Sequence, residues 1–382
     1  MTSSPKRVLV TGAAGFVGSH TTDLLLSRGW QVIALDSLVA QVHGPDAREP
    51  ANLRQHAGNR ALRFVHGDVR DRALMNSLLS EVDAVLHLAA AVGIGQSMYQ
   101  PHHYLDVNVS GTGVLMDLLV NDRRAVRKVV VASSMSLYGE SAYHCQRCGI
   151  VHPTDRSAER MAARQFEHLC PRCGAPVEMA PTPESKPLNS TSVYALSKRV
   201  QEDLLLMLGK AYQIPVVALR YFVIYGPRQS LNNPYTGVAS IFLARMLNGH
   251  APLVFEDGLQ SRDFIHVRDI ARANLLALES TDEAPQVYNV GTGIATSVRE
   301  VSRLLAAGLG VDIEPEVTYK FRAGDIRHCL SDASAIAAGL GFKAEVTRED
   351  GFRELIEWSR AQKPVDSFAA SLDELRARKL VH

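Results

Sequence analysis

A phenol and an ammonium four residues apart, Tyr194 and Lys198, are the side chains in this sequence best suited to acid–base chemistry. The surrounding pattern predicts a helix, so both side chains project from one face. Ser190 and Thr191 precede this helix and are suitable N-cap residues. A neighbouring ammonium, joined by a cationic cofactor, would lower the pKa of the tyrosine toward neutral pH. The alternative interpretation is an ordinary surface Tyr–Lys pair.

Two hydroxyls, Ser133 and Ser134, follow the valine-rich run Val129 to Ala132. Such a run predicts a buried strand, and ligands of parallel α/β sheets bind at the C-terminal ends of the strands. We therefore expect Ser134 to lie beside Tyr194. Sixty residues separate the two in the chain.

A glycine-rich turn follows the first predicted strand, with Gly12, Gly15 and Gly18 in a G-x-x-G-x-x-G pattern. Strand, glycines and helix together predict a pyrophosphate site, because the backbone can approach the phosphates and the helix N-terminus offers free N–H groups. Asp36 ends the next predicted strand, eighteen residues after Gly18. Its carboxylate would accept ribose hydroxyls and repel a 2′-phosphate, which favours NAD over NADP. The glycines alone would also suit a tightly packed loop.

The elements that must position these residues alternate through the first two hundred positions. This alternation predicts an α/β fold with a doubly wound parallel (Rossmann) sheet. The predicted strands are 8–10, 32–35, 64–65, 85–88 and 129–131, and the predicted helices are 17–27, 72–79 and 103–119. After Tyr225 proline and glycine become frequent, which indicates a smaller C-terminal substrate domain. The charged stretch from Val365 to Arg378 is interpreted as a solvated tail helix.

Four expected parts follow from this pattern. Residues 1–138 form the first part of the NAD-binding Rossmann domain, and residues 139–187 form an inserted minidomain. Residues 188–222 complete the Rossmann domain with the Tyr-x-x-x-Lys helix. Residues 223–382 mainly form the substrate domain, with a segment near 264–292 returning to the Rossmann domain.

The insertion carries two Cys-x-x-Cys-Gly turns, formed by Cys145 and Cys148 and by Cys170 and Cys173. Four thiolates at this spacing predict a zinc ribbon with a closed, structural metal site. Disulfides or a redox pair are the alternatives. Six basic and six acidic residues lie between positions 139 and 186. This balance gives the ribbon no basic face for nucleic acid, so we expect a wall or lid beside the active site, or an oligomer contact.

Composition limits the partners of the whole chain. The 382 residues include 41 Lys+Arg and 40 Asp+Glu, which gives a formal net charge of +1. A near-neutral balance argues against nucleic acid or an anionic membrane as a partner. No run is long and apolar enough to span a bilayer, and the N-terminus lacks a signal-peptide cleavage pattern. We expect a cytoplasmic protein.

Several motifs occur in an order that resembles the extended short-chain dehydrogenase/reductase family. Within that family the chain is most similar to NAD-dependent sugar-nucleotide epimerases and dehydratases. The residues that carry the resemblance are Gly12, Gly15, Gly18, Asp36, Gly67-Asp68-Val69, His87-Leu88-Ala89-Ala90, Asn108, Ser134, Tyr194 and Lys198. Later segments extend it, namely 220–222, 225–228, 260–267, 288–291 and 322–325.

The resemblance implies specific roles. Tyr194 would be the acid/base, Lys198 would bind the nicotinamide ribose, and Ser134 would hold the same sugar oxygen. The implied NAD contacts are Gly12, Gly15, Phe16, Val17, Gly18, Asp36, Asp68, Val69, Leu88, Ala89, Ala90, Asn108, Ser133, Tyr194, Lys198 and Tyr221. The implied contacts of a nucleotide-diphosphate sugar are Gln96, Ser97, Ser134, Met135, Ser136, Val223, Asn233, Arg262, Arg322 and Asp325.

Met135 and Ser136 distinguish among reactions. The resembling 4,6-dehydratases carry an Asp–Glu pair there, and neither Met nor Ser can perform that acid–base work. We therefore expect 4-epimerisation, in which C4 is oxidised to a ketone and re-reduced on the other face. Other NAD-dependent sugar-nucleotide enzymes, such as a reductase, a 3,5-type epimerase or a 4,6-dehydratase, are alternatives. A zinc-ribbon NAD-sensing regulator is an alternative of another class.

Two departures from the family pattern concern the sugar. Val223 stands where many relatives carry an Asn, so one polar contact to the substrate is absent. Gly95 stands where many epimerases carry an Arg, and the lack of this cation favours a neutral or deoxy sugar over a uronic acid. Short sequence segments at 41–44, 133–136 and 233–237 most resemble those of a cysteine-rich subgroup that includes dTDP-L-rhamnose 4-epimerase. The predicted helices 103–119 and 193–212 resemble a four-helix dimer interface of this family, so we expect a homodimer.

Overall fold

A seven-stranded parallel sheet forms the centre of the computed structural model, which describes residues 6–122, 126–235, 237–322 and 325–381. The strand order is β13-β9-β5-β4-β1-β2-β3, the doubly wound arrangement predicted from the sequence. The strands are β1 (Arg7–Thr11), β2 (Gln31–Asp36), β3 (Leu62–His66), β4 (Ala84–His87), β5 (Lys128–Ser134), β9 (Val216–Tyr221) and β13 (Gln286–Val290). Every neighbouring pair is parallel.

Helices cover both faces of this sheet because its strands alternate between two apolar cores. Val8 and Val10 of β1 pack in one core, whereas Leu9 packs in the other. The first core is covered by α1 (Phe16–Ser27), α10 (Val267–Glu279) and α12 (Ser334–Leu340). The second core is covered by α3 (Arg72–Leu79), α6 (Gly111–Asn121) and α8 (Val193–Tyr212).

A third apolar core lies among the elements that follow β9. Its helices are α9 (Val238–Leu247), α11 (Val298–Leu309) and α13 (Arg348–Ser359). A second sheet contains β10 (Val223–Tyr225), β12 (Ser261–His266), β14 (Ala295–Ser297) and β16 (His328–Cys329). The short strands β11 (Leu253–Val254) and β15 (Glu316–Val317) form a separate parallel pair. The domain boundaries expected from the sequence stay a prediction.

The cysteine-bearing insertion forms its own small sheet. Its antiparallel strands are β6 (Ala142–Cys145), β7 (Gly149–Val151) and β8 (Glu178–Ala180), in the order β7-β6-β8. The short helix α7 (Ala158–Ala162) lies between β7 and β8 in the chain. As the sequence indicated, none of these strands joins the main sheet.

The remaining helical segments surround the ends of the main strands. They are α2 (Ala40–His43), α4 (Ile94–Ser97), α5 (Pro101–Leu105), α14 (Phe368–Ala377), the 3₁₀ turns Ala51–His56 and Met135–Tyr138, and a π-helical segment Asp106–Ser110. The predicted helix 103–119 is thus part of a longer run with a π-helical interruption, a feature that periodicity does not reveal. Among the described residues, no helix has the length and apolarity needed to cross a membrane.

The last helix corrects one expectation. Leu372 and Leu375 of α14 are buried, and Glu374 accepts hydrogen bonds from the hydroxyls of Tyr99 (2.8 Å) and Tyr235 (2.6 Å). The segment is therefore docked on the rest of the chain and is not a solvated tail. Its charged composition suggested solvent, but Glu374 bonds two tyrosines of the packed surface while Asp373, Arg376 and Arg378 lie on the exposed side.

Candidate active site

A cavity of about 520 Å³ lies at the C-terminal ends of the central strands, where ligands of doubly wound sheets bind. It extends from the glycine turn after β1 to the start of α8 and the segment after β10. The predicted residues that line it are Gly12, Gly15, Phe16, Val17, Gly18, Asp36, Asp68, Val69, Leu88, Ala89, Ala90, Gln96, Ser133, Ser134, Met135, Ser136, Tyr194, Lys198, Tyr221, Val223 and Asn233.

The glycine turn leaves no room for side chains. Gly12 has a φ of +70°, and a Cβ there would lie 3.0 Å from the Ala89 backbone. A Cβ on Gly18 would lie 2.1 Å from the Gly12 carbonyl oxygen. Gly15 caps α1 without a side-chain hydrogen bond, so N–H groups at the start of the helix can bind an anion. The turn fits the pyrophosphate of a dinucleotide.

Two carboxylates mark the same end of the cavity. Asp36 accepts backbone hydrogen bonds from Ala14 and Leu38, both at 2.9 Å, which fix its carboxylate at the end of β2. Its other lone pairs can accept ribose hydroxyls. Arg70 donates to Asp68, and this hydrogen bond is the main reason that the pKa of Asp68 is lowered. Together with the glycine turn, this end suits the adenosine half of NAD.

Tyr194 lies in the first turn of α8 and faces the cavity. The N-cap of α8 is Ser192, whose Oγ accepts from the Ala195 N–H at 3.1 Å, and not Ser190 or Thr191 as predicted. Burial raises the pKa of Tyr194, and a hydrogen bond with Ser134 acts in the opposite direction. The predicted lowering of the pKa is therefore not present in the protein without its cofactor. Tyr194 and Ser134 line the same cavity, and their joint action on one sugar oxygen stays a prediction.

Lys198 lies one helical turn after Tyr194 and is almost fully buried. Its Nζ donates to Gln201 Oε1 at 2.5 Å, and burial lowers the pKa of the ammonium to about 7. Gln201 Nε2 donates to Thr112 Oγ1 at 2.8 Å and lies 3.3 Å from His87 Nε2. Burial also lowers the pKa of His87 to about 3, so its ring is neutral.

This buried chain positions Lys198, and sequence reasoning missed Gln201. The spacing in the sequence could have indicated Gln201, because a residue three positions after Lys198 lies on the same face of the helix.

The serines around Ser134 point in different directions. Ser136 donates to Ser134 Oγ through its backbone N–H at 3.1 Å and its hydroxyl at 2.9 Å. Ser136 therefore orients Ser134, in addition to lining the cavity. Ser133 donates its hydroxyl to Glu202 at 2.5 Å, so that hydroxyl is directed away from the cofactor region.

Two of the predicted contacts that lie outside the cavity lining are buried between elements. Ser97 is fully buried, donates to the Ile94 carbonyl at 2.7 Å and accepts from the Tyr194 N–H at 3.0 Å. Asn108 is also fully buried and bonds Ala91 N–H (2.7 Å) and Ser197 Oγ (2.8 Å) through its amide. Both residues hold the loop after β4 and the start of α8 in place. The expectations of a direct substrate contact for Ser97 and a direct NAD contact for Asn108 are corrected accordingly.

Neutral amides form the wall beside α4. Gln96 exchanges hydrogen bonds with Gln41 at 3.0 and 3.1 Å, and Gln41 also donates to Asn233 Oδ1 at 3.2 Å. Tyr104 donates to Gln96 at 3.0 Å, and its ring meets that of Tyr194 edge-on at 6.4 Å. Gln41 and Tyr104 were not among the predicted site residues. Their roles depend on contacts between distant segments, which spacing in the sequence does not show.

Three predicted substrate contacts, Arg262, Arg322 and Asp325, also lie outside this cavity lining, and the family resemblance implies a diphosphate contact for the two arginines. Arg262 donates to the backbone carbonyls of Ser261, Arg327 and Ile326 at 2.7 to 3.0 Å. It lines neither this cavity nor a second cavity of about 240 Å³ beside the insertion. Its direct contact with a diphosphate does not fit this arrangement. Arg322 donates to Asp325 at 2.8 Å, and both residues line the second cavity.

The sulfurs of Cys145, Cys148, Cys170 and Cys173 all lie within 4.8 Å of one another, and no disulfide joins them. The four sulfurs come from two Cys-x-x-Cys turns of the insertion that face one another. The donor set therefore fits a tetrahedral thiolate-bound ion such as zinc.

Comparisons with known proteins agree with this geometry. Residues 8–291 match the model of the NAD dependent epimerase/dehydratase family. The chain is 35% identical to a dTDP-L-rhamnose 4-epimerase of Burkholderia thailandensis, over 92% of this chain and 94% of the relative. It is 32% identical to a putative UDP-glucose 4-epimerase of Methanocaldococcus jannaschii, over 92% and 98%.

Solved structures give the same result. A UDP-N-acetylglucosamine 4-epimerase of Methanobrevibacter ruminantium, in complex with UDP-N-acetylmuramic acid, superposes with a TM-score of 0.75 and 30% identity, covering 94% of this chain and 100% of the other. A UDP-glucose 4-epimerase of Thermus thermophilus in complex with NAD gives 0.71 and 29%, with the same coverage. The chain belongs to the NAD dependent epimerase/dehydratase family.

Proposed function

We propose that the chain catalyses NAD-dependent 4-epimerisation of a nucleotide-diphosphate hexose through a transient 4-keto sugar. The observation that carries this proposal is that Tyr194 and Ser134 line the wall of one cavity together with Lys198, which lies one helical turn from Tyr194. The glycine turn and Asp36 at the other end of the same cavity support NAD as the cofactor. When bound, NAD⁺ supplies the acceptor and later the donor of the C4 hydride.

The residues of the chain provide orientation and proton transfer. Ser134, held by Ser136, positions the C4 oxygen, and Tyr194 accepts the proton of the C4 hydroxyl as the ketone forms. Lys198 favours the phenolate, as does the positive charge that the cofactor brings. The same phenol returns its proton after the ketone presents its other face, so no net oxidation occurs.

The charges of the lining oppose elimination of water and favour a neutral sugar. Among the described residues that line the cavity, the carboxylates are Asp36 and Asp68, both at the adenosine end. Met135 and Ser136 supply no acid or base for loss of water. The sugar end presents the amides Gln96 and Asn233, which suit hydroxyl groups. We therefore favour a neutral or deoxy hexose, and the similarity to a rhamnose 4-epimerase supports a deoxy sugar.

Exposed apolar side chains support the proposal of a homodimer. Leu105 lies at the end of α5, and Leu196, Met207 and Tyr212 lie on α8, all of them 39 to 58% exposed. Apolar residues on two adjacent helices suit the four-helix contact expected for this family. Size-exclusion chromatography with light scattering would measure the mass, and a 41.7 kDa particle at micromolar concentration would contradict the dimer.

The cysteine cluster supports the proposal of a structural zinc ion held by Cys145, Cys148, Cys170 and Cys173. Elemental analysis of purified protein would then find about one zinc per chain. Replacement of Cys170 by Ser is expected to abolish stoichiometric zinc and lower the melting temperature. Replacement of Cys329, which lies outside the cluster, is the matched control and leaves the zinc content unchanged.

The decisive experiment incubates the protein with UDP-, dTDP-, GDP- and CDP-hexoses and catalytic NAD⁺, and follows the C4 configuration by NMR. Epimerisation of at least one sugar is expected, with kcat about 10²- to 10⁴-fold lower in Tyr194→Phe. Tyr212→Phe, on the exposed end of α8, is the control.

Three other outcomes contradict the proposal. Loss of water indicates a dehydratase, and consumption of stoichiometric NADH indicates a reductase. Tight NAD binding without turnover of any sugar favours the NAD-sensing regulator.

A further inference from the structure

The C-terminal helix α14 lies against the outside of the sugar end of the active-site cavity. It contacts two segments of this end that come from distant parts of the chain. One segment is α4 with the residues beside it, and the other is residues 233–235, which precede α9. Among the described residues that line the cavity, none belongs to α14. The helix therefore acts on the site through these two segments.

Leu375 and Gly95 form the contact between α14 and α4. Leu375 is 7% exposed, and a Cβ on Gly95 would lie only 3.2 Å from its Cδ2 atom. The backbone of Gly95 is outside the left-handed region, so its conformation does not require glycine. The space taken by Leu375 does. Leu375 thus packs where a side chain at position 95 would lie, next to Gln96 of the cavity wall.

Glu374 forms the contact with the second segment. Its carboxylate accepts hydrogen bonds from the hydroxyls of Tyr235 (2.6 Å) and Tyr99 (2.8 Å), which lie 2.9 Å from each other. The Tyr235 ring lines the cavity, and a Cβ on Gly93 would lie 3.2 Å from Tyr235 Cβ. One carboxylate therefore joins the wall at residues 233–235 to the segment that contains α4.

Both ends of the segment 365–381 are fixed as well. Before α14, the Val365 N–H donates to Asn232 Oδ1 at 2.9 Å, and the Ser367 hydroxyl donates to the Asn232 carbonyl at 3.1 Å. After α14, Val381 pairs with Arg322 in an isolated β-bridge. The segment is thus held at its two ends and in its middle, and we call it the C-terminal strap.

We propose that the C-terminal strap keeps the sugar end closed while the 4-keto sugar turns over, and that Leu375 and Glu374 are its positioning residues. This inference rests on the proposed function and adds an element that retains the intermediate. Retention matters most at the ketone stage, when C4 has given up its hydride and the C4 oxygen its proton. The sugar then has no C4 hydroxyl with which to donate a hydrogen bond to the catalytic residues.

The walls of the sugar end must confine the ketone during this stage. The hexose has to leave its first orientation before it presents its other face, so a wall that opened would let it escape. Gln96 and Asn233 form this wall from inside the cavity. Leu375 supports the first side from outside, and Glu374 supports the second through Tyr235.

The first test places a charge beneath the strap. Leu375→Glu should undock the middle of α14, because the new carboxylate would be buried against Gly95 without a partner. We expect KM for the sugar nucleotide to rise about tenfold. We also expect escape of the ketone, and each escape leaves its hydride on the cofactor, so NADH absorbance should rise to about one equivalent per chain. Ala370→Glu puts the same charge on an exposed position of α14 and is the matched control.

The second test exchanges size across the contact and adds no charge. Gly95→Leu should displace Leu375 and cause the same retention defect. Gly95→Leu combined with Leu375→Ala should restore KM and stop the escape of ketone, because the side-chain volume is supplied from the other side. Hydrogen exchange of residues 93–99 and 233–235 is a readout that needs no turnover. It should be faster in Leu375→Glu and Gly95→Leu and close to wild type in the exchange variant and in Ala370→Glu.

The outcomes separate this inference from the proposed function. Wild-type KM and no NADH accumulation in Leu375→Glu would overturn the strap and leave the epimerase intact. Faster hydrogen exchange without either kinetic change would give α14 a structural role alone, which also overturns the inference. A wild-type protein that epimerises no sugar would contradict both. Loss of retention in Leu375→Glu and Gly95→Leu, with recovery in the exchange variant, would support the strap.

Discussion

Two buried cations, Lys198 in α8 and Arg327 beside the ribbon, are surrounded in opposite ways. Lys198 is 3% exposed, and its ammonium donates to a neutral amide, that of Gln201. The nearest acid that acts on it, Glu202, is itself bound by Arg220 and Ser133. Burial therefore dominates and lowers the pKa of the ammonium to about 7.

Arg327 is fully buried, yet its guanidinium contacts three carboxylates. It donates to Glu167, Glu256 and Asp257 at distances from 2.5 to 3.0 Å. Burial acts against its charge, but these partners outweigh it and raise the pKa of the guanidinium. The acids come from the insertion and from the loop after β11, so the pairs join the ribbon to the region of β11 and β15.

The contrast separates a structural charge from a functional one. Arg327 has its counter-charges within the fold, so its role is complete in the protein alone. Lys198 lacks a free counter-charge and faces the cavity, so its charge is available to a bound ligand and to Tyr194. A cation that is unfavourable in the free protein is what a ligand site requires, at some expense of stability.

The largest effect on stability is expected for Arg327→Met. The substitution removes five hydrogen bonds from a buried guanidinium to Glu167, Glu256 and Asp257, but Glu167 and Asp257 can be solvated and Glu256 keeps Arg156, so the free energy of unfolding should fall by about 3 kcal/mol. Chemical denaturation followed by circular dichroism would measure it. Arg147→Met, an exposed position on the same ribbon, is the control and should change stability by less than about 0.5 kcal/mol. A loss of similar size in both variants would mean that the ion pairs do not stabilise the junction.

A smaller effect of opposite sign is expected for Lys198→Met. At pH 6 the free energy of unfolding should rise by about 1 to 3 kcal/mol, because an unpaired buried charge is replaced by an apolar chain of similar length. Turnover should be lost in the same variant. Loss of stability together with turnover would show that Lys198 is paired in the free protein, and the contrast with Arg327 would fail.

The free energy of unfolding of the wild type, relative to Lys198→Met, is expected to change with pH. The pKa of Lys198 is about 7 in the fold, below its ordinary value of 10.5. Below pH 7 both folded and unfolded chains hold the proton, so the folded protein bears the full cost of burial. Between pH 7 and 10.5 only the unfolded chain holds it, so wild-type stability rises with pH relative to Lys198→Met. Lys210→Met, at the exposed end of α8, should retain the wild-type pH dependence.

Local patterns in the sequence predicted one of these regions better than the other. The alternation of strands and helices predicted the parallel sheet, and the Tyr-x-x-x-Lys spacing placed Tyr194 and Lys198 on one face of α8. The strand-end position of Ser134 predicted that it would lie in the same cavity as Tyr194. These features depend on periodicity and on the geometry of parallel sheets, both of which are local.

The ribbon junction depends on contacts between distant segments, which local patterns cannot show. Arg327 meets Glu167 across 160 positions, and neither residue was a candidate. Arg262 was assigned to substrate because its motif matched the family, yet backbone carbonyls occupy its guanidinium. The predicted lowering of the Tyr194 pKa concerns the cofactor-bound protein and stays a prediction, because in the protein alone burial of the ring dominates and the counteracting cofactor charge comes only with binding.

The smallest effect is expected at a third charged residue, Glu374 of α14. Unlike Lys198 and Arg327 it is partly exposed, and its hydrogen-bond partners are neutral hydroxyls. Its carboxylate accepts hydrogen bonds from Tyr99 and Tyr235, and these lower its pKa. Glu374→Gln keeps an acceptor but loses the charge, so Tyr235 at the cavity wall is held less firmly. We expect KM for the sugar nucleotide to rise about threefold with kcat nearly unchanged.

Asp373→Asn is the matched control. Asp373 is next to Glu374 but bonds Arg376, so both constants should stay unchanged. Equal effects in the two variants would assign the change to the net charge of α14, whereas an effect confined to Glu374→Gln would show that a solvent-accessible charge contributes only through the tyrosines it orients.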